Sequence, residues 1–171
     1  MMFEEINASE IDKNVFDMIG KEWMLVTAAK SENEVNTMTA SWGGLGIMWG
    51  KPVAYVFIRP QRYTKEFIDA SSKLSLSFFS EEHRKMLSYM GTVSGRDEDK
   101  ISKAGLNVKL EDETPYFEEA ELVLITKKLY AQDMGEEFLL DKEIAGKWYP
   151  NNDWHTMYVC EIEKVLKKKS K

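Results

Sequence analysis

Hydrophobic spacing along the chain switches repeatedly between helical and strand-like periods, with no long stretch of either. Between Ser9 and Gly20, Ile11, Val15, Phe16 and Ile19 recur at helical spacing and Gly20 stands where a C-cap belongs, which predicts a short helix. Trp23 to Ala29 reads as a buried strand and Ser31 to Asn33 as a turn. Asn36 to Trp42 is extended, and Gly43, Gly44, Gly46 and Gly50 then interrupt an unusually apolar loop. Val53 to Ile58 carries β-branched and aromatic residues on both faces and predicts a central strand. Thr64 is placed to cap a helix through Phe67, Ile68 and Ala70. Leu74, Leu76 and Phe78 alternate with Ser75, Ser77 and Phe79, a half-buried strand. Ser80 with Glu81 and Glu82 opens another helix, because acids suit the first turn. Asp97 to Ala104 makes a further short helix that stops at Gly105, and Glu121–Ala131 and Trp154–Leu166 are long strands. So irregular an interleaving predicts a mainly β protein, an antiparallel barrel decorated with short helices rather than a doubly wound sheet.

Length and charge narrow the picture. The 171 residues suit a single domain, and 43% hydrophobic with 30% charged residues describes a globular chain. The net charge is −6, and it becomes −10 once the tail lysines Lys167, Lys168, Lys169 and Lys171 are set aside. A body this acidic excludes nucleic acid as the expected partner, since duplex affinity depends on clustered cations. One cysteine, Cys160, allows no internal disulfide, and with only His83 and His155 it provides no zinc cluster of ordinary spacing. The acidic start lacks a signal-peptide layout, and no apolar run reaches the roughly 18 residues a membrane span needs. The expectation is a soluble, cytoplasmic protein that binds no membrane.

Two constellations could carry chemistry. In Arg59-Pro60-Gln61-Arg62-Tyr63-Thr64, a strand exit meets a helix entry with two guanidiniums and a hydroxyl, which suits a phosphate. The ordinary alternative is a solvated turn whose arginines pair with nearby carboxylates. In Asn36 to Trp42, period-two geometry sets Thr37, Thr39 and Ser41 on one face and Asn36, Met38, Ala40 and Trp42 on the other. Such a row suits a heteroaromatic ring, and equally an edge strand with a wet threonine face and a core tryptophan. No G-x-G-x-x-G, Walker or G-x-S-x-G motif is present, and Asp153 near His155 has no marked serine nucleophile. Cys160 reads as a small buried hydrophobe, and His83 as a surface residue at a helix start.

In order and spacing, several segments together resemble the flavin reductase-like family of FMN-binding split barrels, with flavoredoxin-type members the closest branch. They are Asn36-x-Met-Thr39-Ala-Ser41-Trp42, Lys51-Pro52, Ile58-Arg59-Pro60-x-Arg62-x-Thr64, Phe78-Phe79-Ser80, Gly91 to Asp97 followed by Lys100, and His155. The resemblance covers about residues 20–165. It implies a split β-barrel, antiparallel and Greek-key-like, forming a homodimer with one FMN per protomer near the subunit interface. By resemblance, Arg59, Arg62 and Thr64 match the phosphate side. Asn36, Met38, Thr39, Ser41 and Trp42 match the strand and loop that hold the isoalloxazine. Lys100 matches a lysine reaching the flavin's polar end, and His155 one lining the face where nicotinamide or another electron partner approaches. The apolar stretch Trp42 to Pro52 departs from the serine-rich, Pro-Pro pattern of reductases that feed monooxygenases, and Cys160 stands where many relatives carry glycine.

These implications amount to an NAD(P)H-dependent flavin reductase, with NADH or NADPH as donor and the chemistry carried by FMN. The alternative is an electron carrier that docks a redox protein partner and has little NAD(P)H activity. A non-catalytic flavin-binding module is a third reading. His155, titrating near neutral pH, is expected either to hydrogen-bond an incoming carboxamide or to balance charge on reduced flavin. Some of Trp42, Trp49, Trp148, Tyr149 and Trp154 are expected at a dimer interface.

Overall fold

The computed structural model describes residues 2–169. Its spine is the antiparallel pair β9 (Leu122–Asp133) and β10 (Thr156–Lys168). The other strands of the sheet are β1 (Phe3–Ile6), β2 (Met24–Ser31), β3 (Glu34–Ala40), β4 (Gly43–Met48), β5 (Lys51–Ile58) and β6 (Lys73–Phe78). The strand order is β3-β2-β6-β9-β10-β5-β4, and every pairing is antiparallel. β10 is long enough to serve two partners on one side, β5 along its first half and β1 along its last residues. Register shifts at Val159/Cys160 and Ile162/Lys164 bend it between the two.

Strands from opposite ends of this order share one core, so the sheet is rolled into a barrel. Val26 and Met38 on β2 and β3 belong to the same buried cluster as Val56 on β5 and Tyr158 on β10. Alternate residues of the central strands point the other way. Leu25, Val123 and Ile125 build a second cluster under α3 (Arg84–Thr92) and the hairpin of β7 (Val108–Glu111) with β8 (Thr114–Phe117). The middle of the sheet is therefore buried on both faces, and period-two patterning weakens there.

Several sequence expectations are corrected. The predicted helix from Ser9 to Gly20 is broken into a 3-10 turn at Ala8–Glu10, a single turn α1 (Val15–Asp17) and a π turn at Met18–Glu22. Phe16, counted on the buried face, is exposed, and Gly20 lies inside the π turn instead of capping it. The apolar glycine stretch expected to be a loop is strand β4. Gly43 permits this, since a Cβ there would stand 2.6 Å from the Tyr55 carbonyl oxygen. β4 lies at the edge of the sheet, and among the described residues it pairs with β5 alone, so its glycine-rich sequence carries no strand pattern of its own. β6 is buried on both faces rather than half-buried, with Ser75 donating to the Pro115 carbonyl under the β7–β8 hairpin. Helix α2 (Tyr63–Ala70) has Arg62 as its N-cap in place of the expected Thr64, which is the second residue of the helix. The short helix at Asp97–Ala104 is α4 (Lys100–Lys103), ended by Gly105 at φ +69° as expected. β1, the β7–β8 hairpin and α5 (Glu143–Trp148) carry no pattern that the sequence reading recognised.

Candidate functional site

Three chain segments meet at one end of the barrel. β3 runs out through Ser41 and Trp42, β5 exits into Arg59–Arg62 and helix α2, and the segment from α5 turns through Tyr149 to Asn152 into β10. Asn152 sits at φ 55°, a left-handed conformation that asparagine tolerates, and donates its N–H to the Tyr149 carbonyl. Thr156 then pairs with Ile58, which brings His155 beside Arg59. The cleft between these segments has a volume of about 170 Å³.

Met38, Thr39, Ser41, Trp42, Arg59, Arg62 and His155, all singled out from sequence, line this cleft. Phe57 and Trp148 complete its aromatic wall. Trp42 stands edge-on to Trp148 at 5.1 Å between ring centres, and it tilts against His155 at the same distance. Asn36, Thr64 and Lys100 lie behind the wall. Asn36 and Thr64 are both buried, and the Asn36 amide donates to the Thr64 hydroxyl at 2.9 Å. The threonine face divides: Thr37 is fully buried and donates to the Val26 carbonyl, while half-buried Thr39 donates to the Leu87 carbonyl and, with Ser41, borders the cleft.

The two arginines of the Arg59–Thr64 segment have different surroundings. Arg59 pairs with the Asp153 carboxylate at 2.8 Å and also donates to the Asp153 and Trp148 carbonyls. Gln61 donates to the same carboxylate at 2.8 Å. These contacts hold the Asp153 carboxyl below the usual range, the Gln61 hydrogen bond most of all. Arg59 also lies over the Tyr149 ring, 5.0 Å from its centre, so one side chain clamps the whole Trp148–Asp153 segment. His155 is buried here among Trp42, Phe57 and Tyr149. That burial, reinforced by the Arg59 charge, pushes its pKa down to about 4, against the partial relief Asp153 offers. The expectation that His155 titrates near neutral pH is therefore corrected: it stays neutral.

Arg62 has no carboxylate. It donates to the Gly91 carbonyl at 2.9 Å, at the C-terminal end of α3. Lys100, 4% exposed, donates to the Met90 and Val93 carbonyls at the same helix end. Neither forms an ion pair among the described residues. Burial, together with the neighbouring Arg62, pushes the Lys100 pKa down to about 8, and burial beside Arg59 lowers that of Arg62. Capping helix carbonyls accounts for part of this arrangement. It leaves the buried Lys100 and the half-buried Arg62 next to one another with no carboxylate partner among the described residues, an arrangement that an anionic ligand would complete. Gly95 lets the chain pass close against Asn36, for a Cβ there would fall 2.2 Å from the Asn36 amide oxygen.

Sequence reasoning missed Phe57 and the roles of Tyr149 and Asp153. The one available signal was the run of aromatic and turn-forming residues from Trp148 to His155, which reads as an ordinary loop without the fold.

Comparison with known proteins bears on the fold and the family. No curated protein matches the chain. Among solved structures, a flavoredoxin from Methanosarcina acetivorans is 21% identical at TM-score 0.69, covering 97% of this chain and 76% of that one. Flavoredoxin of Desulfovibrio vulgaris (Miyazaki F) is 20% identical at TM-score 0.69, covering 96% and 78%. An FMN-binding protein from Thermus thermophilus, solved with bound p-hydroxybenzaldehyde, is 19% identical at TM-score 0.67, covering 96% and 83%. These likenesses establish the shared fold. The model of the flavin reductase like domain matches residues 17–171, and the chain belongs to that family.

Proposed function

We propose that this chain is an FMN-dependent oxidoreductase that passes reducing equivalents from NADH or NADPH through bound FMN to an acceptor. The observation that carries the reading is a pair of cations without a carboxylate among the described residues, half-buried Arg62 lining a cleft walled by Met38, Trp42 and Phe57, and buried Lys100 behind it. The donor set fits the cofactor: two uncompensated cations suit a phosphate dianion, and an apolar and aromatic wall suits a planar ring system. When bound, FMN supplies the hydride and electron chemistry. Arg62 and Lys100 hold its phosphate end, and Met38, Thr39, Ser41 and Trp42 form the wall for its ring. Arg59 keeps the Trp148–Asp153 segment in place, and His155 faces the molecule that meets the ring.

A homodimer is part of this proposal. The cleft of one chain, about 170 Å³, is smaller than the roughly 300–1,000 Å³ of ordinary ligand pockets. Trp42 and Trp148 are 39% and 43% exposed at its mouth, and a second copy laid over them would complete the enclosure. Trp49, more than half exposed beside the open edge of β4, supports the same arrangement, whereas Tyr149 is buried and holds Trp154 by stacking.

The alternative of an electron carrier that docks a redox protein has one observation in its favour. Phe138 and Leu140 are exposed among Glu136, Glu137 and Asp141, between β9 and α5. A visible spectrum of the purified protein supplied with FMN, followed by anaerobic NADH and NADPH, tests both readings. Bleaching of a bound-flavin band by either nucleotide is the expected result. A band that dithionite bleaches and neither nucleotide touches selects the carrier. No bound flavin at all refutes the cofactor.

A further inference from the structure

Tyr149 and His155 are buried, at 5% and 7% exposure, and their Oη and Nδ1 atoms are 2.7 Å apart. The tyrosine cannot swing away easily. Its ring stacks on Trp154 at 4.1 Å with a 20° tilt, and the Arg59 guanidinium covers it. Among the described residues, His155 Nδ1 is the sole hydrogen-bond partner of the Tyr149 hydroxyl.

The direction of this bond follows from counting protons. A phenol has one hydrogen to donate, and a neutral imidazole has one N–H. Were the histidine hydrogen on Nδ1, it would donate to Oη and leave the buried tyrosine O–H with no acceptor, which native structures avoid. With the tyrosine donating, Nδ1 accepts and the imidazole hydrogen must sit on Nε2. That nitrogen makes no hydrogen bond among the described residues, and His155 lines the cleft.

We infer that Tyr149 is a positioning residue: its hydroxyl holds His155 in the Nε2–H form, so the cleft offers a fixed, uncharged N–H donor to an uncharged carbonyl or carboxamide oxygen. This rests on the flavin reading above, because it names what meets the cofactor there. The electrostatics agree. The charged groups facing the imidazole are Arg59 and Asp153, and they neutralise each other in a 2.8 Å ion pair. This end of the cleft therefore has a directed donor and little net charge, whereas the Arg62 end has charge to spare. An uncharged acceptor suits the first and a phosphate the second.

Two measurements test the inference on the full chain. Long-range proton–nitrogen spectra of isotope-labelled histidine read the tautomer directly. The wild type at neutral pH should show His155 with its hydrogen on Nε2. Tyr149→Phe keeps the ring packing, and it should show a mixture of tautomers and a pKa that rises toward the ordinary histidine range. A hydrogen on Nδ1 in the wild type, or spectra unchanged in the variant, overturns the inference. The second measurement titrates nicotinamide, a small carboxamide, into the FMN-loaded protein. Tyr149→Phe should bind it about fivefold more weakly, and His155→Ala at least as weakly as that. His155→Gln, which restores an N–H near the Nε2 position, should stay within about twofold of wild type. Failure of the wild type to bind nicotinamide, or equal binding by all variants, refutes the assigned ligand class. Failure to load FMN removes the proposed function instead, and the tautomer measurement still decides the role of Tyr149.

Discussion

Arg59 and Arg62 stand three residues apart on one turn, yet the fold gives them opposite electrostatic roles. Arg59 is matched by Asp153, shared with Gln61, and tied to two carbonyls of the neighbouring segment. Among the described residues, the half-buried Arg62 is matched only by the Gly91 carbonyl, and it lies close to the buried Lys100. A paired arginine is a structural clamp, and one without a carboxylate is free to meet an anionic ligand. The difference comes from two segments far away in sequence: the Trp148–His155 loop brings a carboxylate to Arg59, and the end of α3 brings only carbonyls to Arg62. Residue type and spacing could not separate these roles, because both arginines satisfy the same phosphate-binding pattern.

This contrast can be tested by removing each charge in turn. The largest effect should come from Arg62→Ala. Losing one charge-assisted contact of about 1.5–3 kcal/mol should weaken FMN roughly ten- to hundredfold in a fluorescence titration while leaving riboflavin binding unchanged. A similar loss for both ligands would move Arg62 out of the phosphate site. Lys100 should add a pH dependence. Its pKa of about 8 lies below the 10.5 of a free lysine, so it loses its proton as pH rises through about 8, and FMN affinity should fall over that range. The Lys100→Met variant should bind FMN several-fold more weakly at neutral pH and lose that alkaline fall. An unaltered profile would show that another group controls it.

Arg59→Ala should behave differently. FMN affinity should change less than about threefold, while urea unfolding should show a loss on the order of 1–2 kcal/mol, because Asp153 keeps only Gln61 and the Trp148–Asp153 segment loses its clamp. A large loss of FMN affinity with unchanged stability would reverse the two arginines. The last effect concerns His155 and is read in stability against pH, not in affinity. Its pKa is about 4 in the fold and 6.5 in the unfolded chain, so between those values the unfolded state holds more protons. Its contribution therefore makes stability decline as pH drops from about 6.5 to about 4, and it adds no slope above 6.5. His155→Gln should flatten that part of the stability–pH curve, and an unchanged slope would show that the histidine titrates normally.

Much of this was legible in the sequence where local pattern and tertiary environment agree. β5, β9 and β10 carry long runs of apolar and β-branched residues, and the Asp97–Ala104 helix carries its own stop in Gly105. Reading failed where a neighbour decides. β4 is glycine-rich and becomes a strand only because β5 lies beside it. β6 displays alternating serines yet is covered on both faces, since the β7–β8 hairpin folds over its polar side. Seven of the chosen site residues do line the cleft. Asn36 and Thr64 satisfy each other behind it, a pairing across 28 residues of chain that spacing could not disclose. The lowered pKa of His155 was equally hidden, because it arises from Trp42, Phe57 and Tyr149 closing around the ring.

The central claim is that Arg62 and Lys100 form an anion site waiting for a phosphate. Parallel titrations of the wild-type protein with FMN and with riboflavin, which differ only by that phosphate, test it most directly. Two charge-assisted contacts should make FMN bind at least about a hundredfold more tightly. Equal affinities for the two would contradict the claim and return both cations to the role of helix caps.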